Sequence, residues 1–218
     1  MRDEQIHAAV KIVKKTIQQW KEPIVGIVAR ESHDPFRILI ACLLSLRTKD
    51  KTTAEASYRL FKLANNPTRM LILPLNQVEK AIYPVGFYKT KAKQIHAISQ
   101  TLLKDFGGVV PDTIDELLTL KGVGRKTANL VVTVGYNKPG ICVDIHVHRI
   151  SNRWGYIKTK TPEESEQALR KKLPKKYWIQ FNDWLVPYGQ NLCRPVSPFC
   201  TQCPISAFCD HVGVTTSR

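Results

Sequence analysis

The feature that most constrains this chain is a short glycine turn between two segments whose apolar residues recur at helical spacing. The segment Leu120–Asn129 has the sequence LKGVGRKTAN, so Gly122 and Gly124 stand two residues apart. Glycine tolerates a positive φ and lets two backbones approach closely. The N–H groups at the start of a helix carry partial positive charge and can bind a phosphate. The segment therefore predicts an anion-binding helical hairpin over about residues 114–134. The alternative is an ordinary tight corner between two helices.

Basic residues surround this turn. Lys121 lies in the turn, and Arg125 and Lys126 open the second helix. The positive end of the helix dipole and the neighbouring Arg125 both disfavour the ammonium form, so the pKa of Lys126 is expected to be lowered. A lysine of lowered pKa can act as an amine nucleophile. The alternative is that Lys126 is one more lysine that contacts phosphate.

The overall charge indicates the class of partner. The 218 residues include 33 Lys and Arg against 18 Asp and Glu, a net charge of +15, and 43% of them are hydrophobic. Such a basic excess on a folded chain favours a nucleic acid over a charge that serves only solubility. The longest apolar run, residues 38–44, is far too short for a membrane span, and no signal peptide is apparent. We therefore expect an intracellular protein with no membrane segment and with reduced thiols.

Apolar residues recur at helical spacing nearly everywhere. In the first segment, Ile6, Val10 and Val13 follow steps of four and three residues. Capping patterns predict helix starts at Thr113 and Thr161, each followed three residues later by a glutamate. Alternating patterns typical of strands are scarce. The sequence therefore predicts an all-α protein.

Asp144 is a carboxylate within a mostly apolar stretch, residues 141–149. Burial of a carboxylate is costly unless it is paired or hydrogen-bonded. Asp144 can cap the helix that follows. A capped, anionic aspartate that faces a lysine nucleophile can also stabilise positive charge developing on a sugar. His146 and His148 are two residues apart and cannot share a helix face, so we interpret them as core or DNA-contacting residues and not as metal ligands.

Four of the six cysteines crowd into 17 residues, in the spacing Cys193-x6-Cys200-x2-Cys203-x5-Cys209. In an intracellular chain this density predicts a metal site and not disulfides. All-thiolate ligation is typical of zinc or of an iron–sulfur cluster. The absence of paired Cys-x2-Cys knuckles makes a zinc ribbon less natural, but the spacing leaves both metals open. Cys42 and Cys142 lie in apolar runs and are interpreted as buried small hydrophobic residues.

Three motifs, taken in order, resemble the endonuclease III family, the iron–sulfur DNA glycosylases of the helix-hairpin-helix superfamily. They are GVGRKTA at 122–128, VDIH at 143–146 and the four-cysteine tail. The resemblance covers essentially the whole chain. It implies two helical lobes with a DNA-binding cleft between them. One is a bundle of residues 27–138 that contains the hairpin, and the other joins 1–26 to 139–218 around an iron–sulfur cluster.

The resemblance also implies what the site residues do. Lys126 matches the catalytic lysine and Asp144 the catalytic aspartate, and the four cysteines match the ligands of a 4Fe–4S cluster. The family removes oxidised pyrimidines from duplex DNA after the base has left the stack. It then nicks the strand 3′ to the abasic site by β-elimination from a Schiff base. We expect a monomer, associated with the nucleoid if the source is prokaryotic. The expected DNA contacts are Lys121, Gly122, Val123, Gly124, Arg125, His146, Arg194, and the two candidate wedge residues Arg47 and Phe87.

The chain departs from the family pattern at three positions. Arg47 stands where the family usually has glutamine, Phe87 where it often has leucine, and Lys121 where it usually has proline. The bulkier wedge pair is expected to change the opposite-base preference. One alternative function is a mismatch-specific glycosylase for adenine or for thymine and uracil, but those lineages typically lack a lysine at position 126. A remoter alternative is a non-enzymatic DNA-binding module with a structural zinc, which would need no pair such as Lys126 and Asp144.

Overall fold

A computed structural model describes residues 1–20, 26–28 and 34–218, and in these ranges the regular secondary structure is entirely helical. The all-α prediction is therefore confirmed. A π-helical turn, Val131–Gly135, directly follows the helix Arg125–Leu130. Short 3₁₀ turns occupy Lys175–Tyr177, Cys200–Gln202 and Ser206–Phe208. The main helices are α1 (Gln5–Ile17), α2 (Pro35–Ser45), α3 (Asp50–Leu63), α4 (Pro67–Ile72), α5 (Leu75–Ile82), α6 (Tyr88–Asp105), α7 (Ile114–Thr119), α8 (Arg125–Leu130), α9 (Ile145–Arg153), α10 (Pro162–Lys172) and α11 (Phe181–Asn191).

The chain divides into two compact units. The first comprises Met1–Pro23 and Pro139–Arg218, and the second comprises Ile24–Lys138. The hairpin lies in the second unit, and the four-cysteine tail lies in the first. Among the described residues, no helix is both long enough and apolar enough to cross a membrane.

Helix α2 is the centre of the second unit. Its residues 38–44 are all at most 1% exposed, because this nearly unbroken apolar run has no polar face to turn towards water. It packs against α3, α6 and α8. Asp34 caps its start, accepting the N–H of Phe36 at 2.9 Å. Helix α2 thereby supports α8, which carries Lys126, and its C-terminal end leads directly into the segment that carries Arg47.

The first unit has a core rich in aromatic side chains. Trp154, Tyr156, Phe181 and Tyr188 are each at most 1% exposed. Helix α11 packs against α1 and α9, and α9 also packs against α10. Large aromatic rings bury much apolar surface per residue, and this stabilises a small unit. The cysteine tail that follows α11 is thus attached to a rigid base.

Two predicted helix starts are confirmed. The hydroxyl of Thr113 accepts the N–H of Glu116 at 3.4 Å, and that of Thr161 accepts the N–H of Glu164 at 3.1 Å. The Glu164 carboxylate reaches back to the N–H of Lys160 at 2.7 Å. Glu116 differs from the expectation, because its carboxylate accepts the hydroxyl of Thr113 at 2.6 Å and does not reach a backbone donor at the cap.

Candidate active site

The predicted hairpin is present in the second unit as α7, a turn of residues 120–124, and α8. Gly122 adopts φ 81°, a conformation that favours glycine, and a Cβ added there would lie 2.6 Å from Nε2 of Gln94, so the Gln94 side chain would have to move. Gly124 has φ −95° and caps α8 without a side chain. Of the two glycines only Gly122 therefore uses a positive φ, and at Gly124 an added Cβ would meet no atom within 4 Å.

The hairpin turn presents mostly backbone and positive charge to solvent. Lys121, Gly122 and Gly124 are exposed, and Arg125 is partly exposed. The Val123 side chain is different, because it is 6% exposed and belongs to the core. Val123 can therefore offer an anion only its backbone. A sequence pattern could have indicated this, since Leu120 and Val123 are apolar residues three positions apart.

Lys126 is the second residue of α8 and is half-buried. Its charge acts on two neighbours in the same unit. Burial raises the pKa of the Cys42 thiol in α2 to about 12, and the Lys126 charge opposes this rise. Partial burial raises the pKa of the Asp50 carboxyl at the start of α3, and Lys126 again opposes the rise. Sequence reasoning missed Asp50 as a neighbour of Lys126, because only the packing of α2 on α8 brings these segments together.

Asp144 is the N-cap of α9 in the first unit, as predicted for its structural role. It is 7% exposed, and its Oδ1 accepts the N–H groups of His146 and Val147, both at 2.9 Å. The two bonds fix the orientation of the carboxylate and satisfy two of the orphan donors at the helix start. Asp144 therefore has a structural reason to be present, and this reason is compatible with a chemical role.

The two histidines of α9 have different surroundings. His148 is half-buried, and its Nδ1 lies 2.6 Å from Oγ of Ser165, which places it in the contact between α9 and α10. His146 Nδ1 lies 3.1 Å from Nη2 of Arg149. That guanidinium also donates to the carbonyl oxygen of Cys193 at 2.9 Å. His146 is thereby linked, through Arg149, to the first residue of the cysteine tail.

The four cysteines of the tail line one cavity in the first unit, together with Arg153, Tyr188 and other residues. Tyr188 Oη lies 3.0 Å from Sγ of Cys203, and Arg153 Nη1 donates to Sγ of Cys193 at 3.5 Å. Within the described ranges, no three His, Cys, Asp or Glu side chains gather closely enough to hold a single metal ion. The four cysteines therefore share one cavity.

The electrostatics of this cavity disfavour free thiolates. The pKa of the Cys209 thiol is raised to about 11, chiefly by burial and also by the charges of the other cysteines, although the N–H of His211 donates to its sulfur and opposes the rise. Burial also raises the pKa of the Cys203 thiol. Thiolates become stable here when a positive charge compensates them, as a bound metal does. The donor set is thus chemically suited to a metal group that takes four thiolates.

Arg194 projects from the loop between the first two cysteines of this tail. Its side chain is exposed, and its guanidinium carbon lies 5.0 Å from the centre of the Phe199 ring. The buried Arg153 guanidinium donates to the carbonyl oxygens of Arg194 and Pro195, which fixes the loop backbone. Arg194 is therefore an exposed cation on an anchored loop.

Arg47 and Phe87 lie together in the second unit, although they come from separate loops. The guanidinium carbon of Arg47 is 5.8 Å from the centre of the Phe87 ring, which is a cation–π distance. Both residues adopt a positive φ, 53° and 58°, and Phe87 remains 63% exposed. The two candidate wedge residues thus form one exposed pair. Sequence reasoning missed the buried Lys91 beneath them, although a lysine among the apolar positions of α6 was a visible signal.

Comparisons with known proteins show the family to which the chain belongs. The family described as HhH-GPD superfamily base excision DNA repair protein matches residues 40–175. The chain is 46% identical to endonuclease III of Thermotoga maritima over 177 residues, which cover 81% of this chain and 83% of that protein. It is 38% identical to endonuclease III of Bacillus subtilis over 177 residues, which cover 81% of each.

A solved structure of a trapped endonuclease III–DNA covalent intermediate matches the fold. The TM-score is 0.84 at 32% identity, and the match covers 97% of both chains. The family model, the relatives and the solved structure therefore all point to the same family over most of the chain. They do not support the alternative of a non-enzymatic DNA-binding module. The chain belongs to the endonuclease III family of the HhH-GPD superfamily and is a DNA glycosylase and AP lyase of base excision repair.

Proposed function

We propose that this enzyme, acting as a monomer, removes oxidised pyrimidines from double-stranded DNA and nicks the strand 3′ to the abasic site by β-elimination. The observation that carries the proposal is the position of Lys126. It is a half-buried lysine at the second residue of α8, directly after the exposed hairpin turn. A DNA backbone bound at that turn brings a sugar close to its amine. Because the substrate is double-stranded DNA, we propose that in a prokaryote the enzyme acts at the nucleoid.

In the proposed reaction the neutral amine of Lys126 forms a bond to C1′ of the damaged nucleotide. The N-glycosidic bond breaks, its electron pair leaves with the base, and the base is protonated. The sugar ring then opens to give a Schiff base on Lys126. Loss of a proton from C2′ expels the 3′ phosphate, which nicks the strand. A covalent amine intermediate thus serves both the glycosylase step and the lyase step.

Asp144 is proposed as the carboxylate that accepts a proton from Lys126 and stabilises the charged sugar. Its carboxylate is oriented by two backbone N–H groups at the start of α9. A preoriented anion stabilises developing positive charge without reorganising during the reaction. The resemblance of residues 143–146 to the family motif supports the assignment.

The proposed DNA contacts divide into two kinds. Phosphates are bound by the hairpin turn and by exposed cations, which position the DNA without reading its sequence. We assign Arg47 and Phe87 as the wedge that fills the space left by the extruded base. Their side chains lie against each other, and Phe87 is exposed to solvent, where it can enter a duplex. The proposed phosphate contacts are Lys121, Gly122, Gly124, Arg125, His146 and Arg194, with Val123 contributing its backbone.

We further propose that Cys193, Cys200, Cys203 and Cys209 hold a 4Fe–4S cluster. Endonuclease III proteins generally carry such a cluster. The four cysteines line one cavity, and a set of four thiolates is the ligand set of a 4Fe–4S cluster. When bound, the cluster supplies four metal–thiolate bonds that cross-link the tail. Its role is structural, and the loop it fixes carries Arg194.

A panel of damaged duplexes tests the proposed substrate class. We expect excision of oxidised pyrimidines, followed by strand nicking, to proceed much faster than excision of undamaged adenine or thymine from mismatches. The measurement is the single-turnover rate on duplexes that differ only at one base pair. Faster excision of a mismatched adenine or thymine would assign the enzyme to the mismatch-specific alternative.

Removing the charge of Lys121 is expected to weaken DNA binding in a salt-dependent way. Lys121→Ala deletes one exposed cation of the hairpin turn, so the slope of log affinity against log salt should become shallower by about 0.9. The loss should be the same for different DNA sequences. Fluorescence anisotropy over a salt series measures both quantities. Lys104→Ala, which removes an exposed lysine from α6, is the control and should keep the wild-type slope. An unchanged slope in Lys121→Ala would contradict the assignment of Lys121 as a phosphate contact.

A further inference from the structure

Lys91 is a buried lysine whose ammonium group is fully engaged. It lies in the first turn of α6 and is 5% exposed. Its Nζ donates to the carbonyl oxygens of Leu44 at 3.0 Å and Leu46 at 2.6 Å, and to Oγ1 of Thr48 at 3.3 Å. An ammonium group has three donors. All of them are therefore directed at one short segment, residues 44–48, which follows the buried part of α2.

This segment has reason to accept a cation. It leaves the C-terminal end of α2, where carbonyl oxygens lack partners within the helix and carry partial negative charge. It also contains Arg47 at φ 53°, a conformation that is uncommon for a residue other than glycine. A buried charge bound to Leu44, Leu46 and Thr48 stabilises the backbone on both sides of Arg47. The ammonium group is thus placed to hold Arg47 in its unusual conformation.

The Thr48 hydroxyl extends this network to the loop of Phe87. Its Oγ1 accepts the N–H of Gly86 at 3.2 Å. Gly86 lies so close to the other loop that an added Cβ would be 2.7 Å from the carbonyl oxygen of Arg47. Phe87 follows, and its carbonyl oxygen accepts the N–H of Lys91 at 3.0 Å. The Lys91 side chain is therefore linked directly to the loop of Arg47, and through the Thr48 hydroxyl to the loop of Phe87.

We infer that Lys91 is a positioning residue that, together with Thr48, holds Arg47 and Phe87 as one rigid pair and so sets how readily a paired base leaves the duplex. The inference rests on the proposed function, in which this pair fills the space that the base leaves. A side chain that unstacks a duplex must keep its shape while the duplex closes against it. A displacement of about 1 Å at such a position can reduce a rate by a large factor.

The burial of this charge supports a role beyond packing. Burial removes the Lys91 ammonium from water and so lowers its pKa to about 8. An apolar side chain of similar length would fill the same space without that cost. The ammonium group can instead donate to three acceptors at once and hold them in one geometry. The three acceptors here lie on both sides of Arg47.

The test compares two reactions that differ in their need for base extrusion. One is excision of an oxidised pyrimidine paired in a duplex, and the other is strand cleavage at a preformed abasic site, where no base has to leave the stack. The variants are Thr48→Val and Lys91→Met, with Thr48→Ser as the conservative variant that retains the hydroxyl. Lys104→Met removes an exposed charge from the same helix and is the matched control. Single-turnover rates are measured after circular dichroism has confirmed folding.

We expect Thr48→Val and Lys91→Met to slow excision by about tenfold or more while cleavage at the preformed abasic site stays within about twofold. Thr48→Ser should restore most of the excision rate. If Lys91→Met fails to fold, the Thr48 variants still decide the question. An equal loss of both reactions in Thr48→Val, or wild-type excision in that variant, would overturn the inference.

Different results would contradict the substrate class, the wedge and the positioning role of Lys91. A wild-type enzyme that excises no oxidised pyrimidine would overturn the proposed function itself. If Arg47→Ala and Phe87→Ala both excise the base at the wild-type rate, these two residues are not the wedge. Sensitivity to those two changes, combined with normal excision by Thr48→Val, would overturn only the positioning by Lys91 and Thr48.

Discussion

Replacing Lys126 with alanine is expected to abolish the covalent complex that borohydride traps between the enzyme and abasic DNA. Borohydride reduces a Schiff base, and a Schiff base requires a primary amine at the sugar. Lys126 is the lysine that follows the exposed hairpin turn within α8, and it is half-buried. Alanine has high helix propensity, so the substitution removes the amine with little effect on the helix.

The lyase rate of Lys126→Ala should fall on the order of 10³-fold or more, since a covalent nucleophile is removed. Affinity for a duplex with a stable abasic analogue should change only by the loss of one cationic contact. Trapping is measured as a shifted band on a denaturing gel. Lys104→Ala, which alters an exposed lysine of α6, should trap like the wild type. Equal trapping by Lys126→Ala would assign the nucleophile to another amine.

Replacing Cys209 with alanine is expected to remove the iron–sulfur cluster and loosen the tail. Wild-type protein purified aerobically should be yellow-brown and contain about four iron atoms per chain. Cys209 is one of four cysteines that line the same cavity, and burial raises the pKa of its thiol to about 11. A thiolate in that position depends on the metal for its stability. Loss of one ligand should therefore cost both the metal and the structure that it cross-links.

Iron content, visible absorbance and thermal unfolding measure these effects. We expect Cys209→Ala to lower the free energy of unfolding by at least about 3 kcal/mol. Cys42→Ala is the matched control, because it removes a buried thiol outside the cavity. It should cost about 1 kcal/mol and retain full iron content. A wild-type preparation with stoichiometric zinc and no iron, or a Cys209→Ala protein with full iron, would contradict the cluster assignment.

Local sequence signals were the accurate ones. The hairpin, the start of α8 at Arg125 and the caps at Thr113, Thr161 and Asp144 are present as predicted. Each depends on residues no more than a few positions apart, whose side chains and backbone meet whatever the rest of the chain does. The glycine turn was also foreseen, but only Gly122 adopts a positive φ, because the path of the backbone between α7 and α8 decides which glycine makes the sharp bend.

Motif spacing predicted which residues belong to the site but not how they are arranged. The four cysteines were expected to meet at a metal, and they line one cavity. Val123 was expected among the DNA contacts, yet its side chain belongs to the core. Burial is a property of packing between distant segments, so a motif cannot state it.

The sequence by itself determined the helical class, the hairpin, the helix caps and the residue types available for chemistry, because these follow from local periodicity and spacing. Only the tertiary structure decided that Arg47 and Phe87 form one pair and that Lys91 and Thr48 hold it. The physical reason is that these contacts join segments far apart in the chain. Lys91 interrupts the apolar face of α6, and the sequence does not explain it. The explanation is the set of acceptors in residues 44–48, which only the tertiary structure brings to its ammonium group.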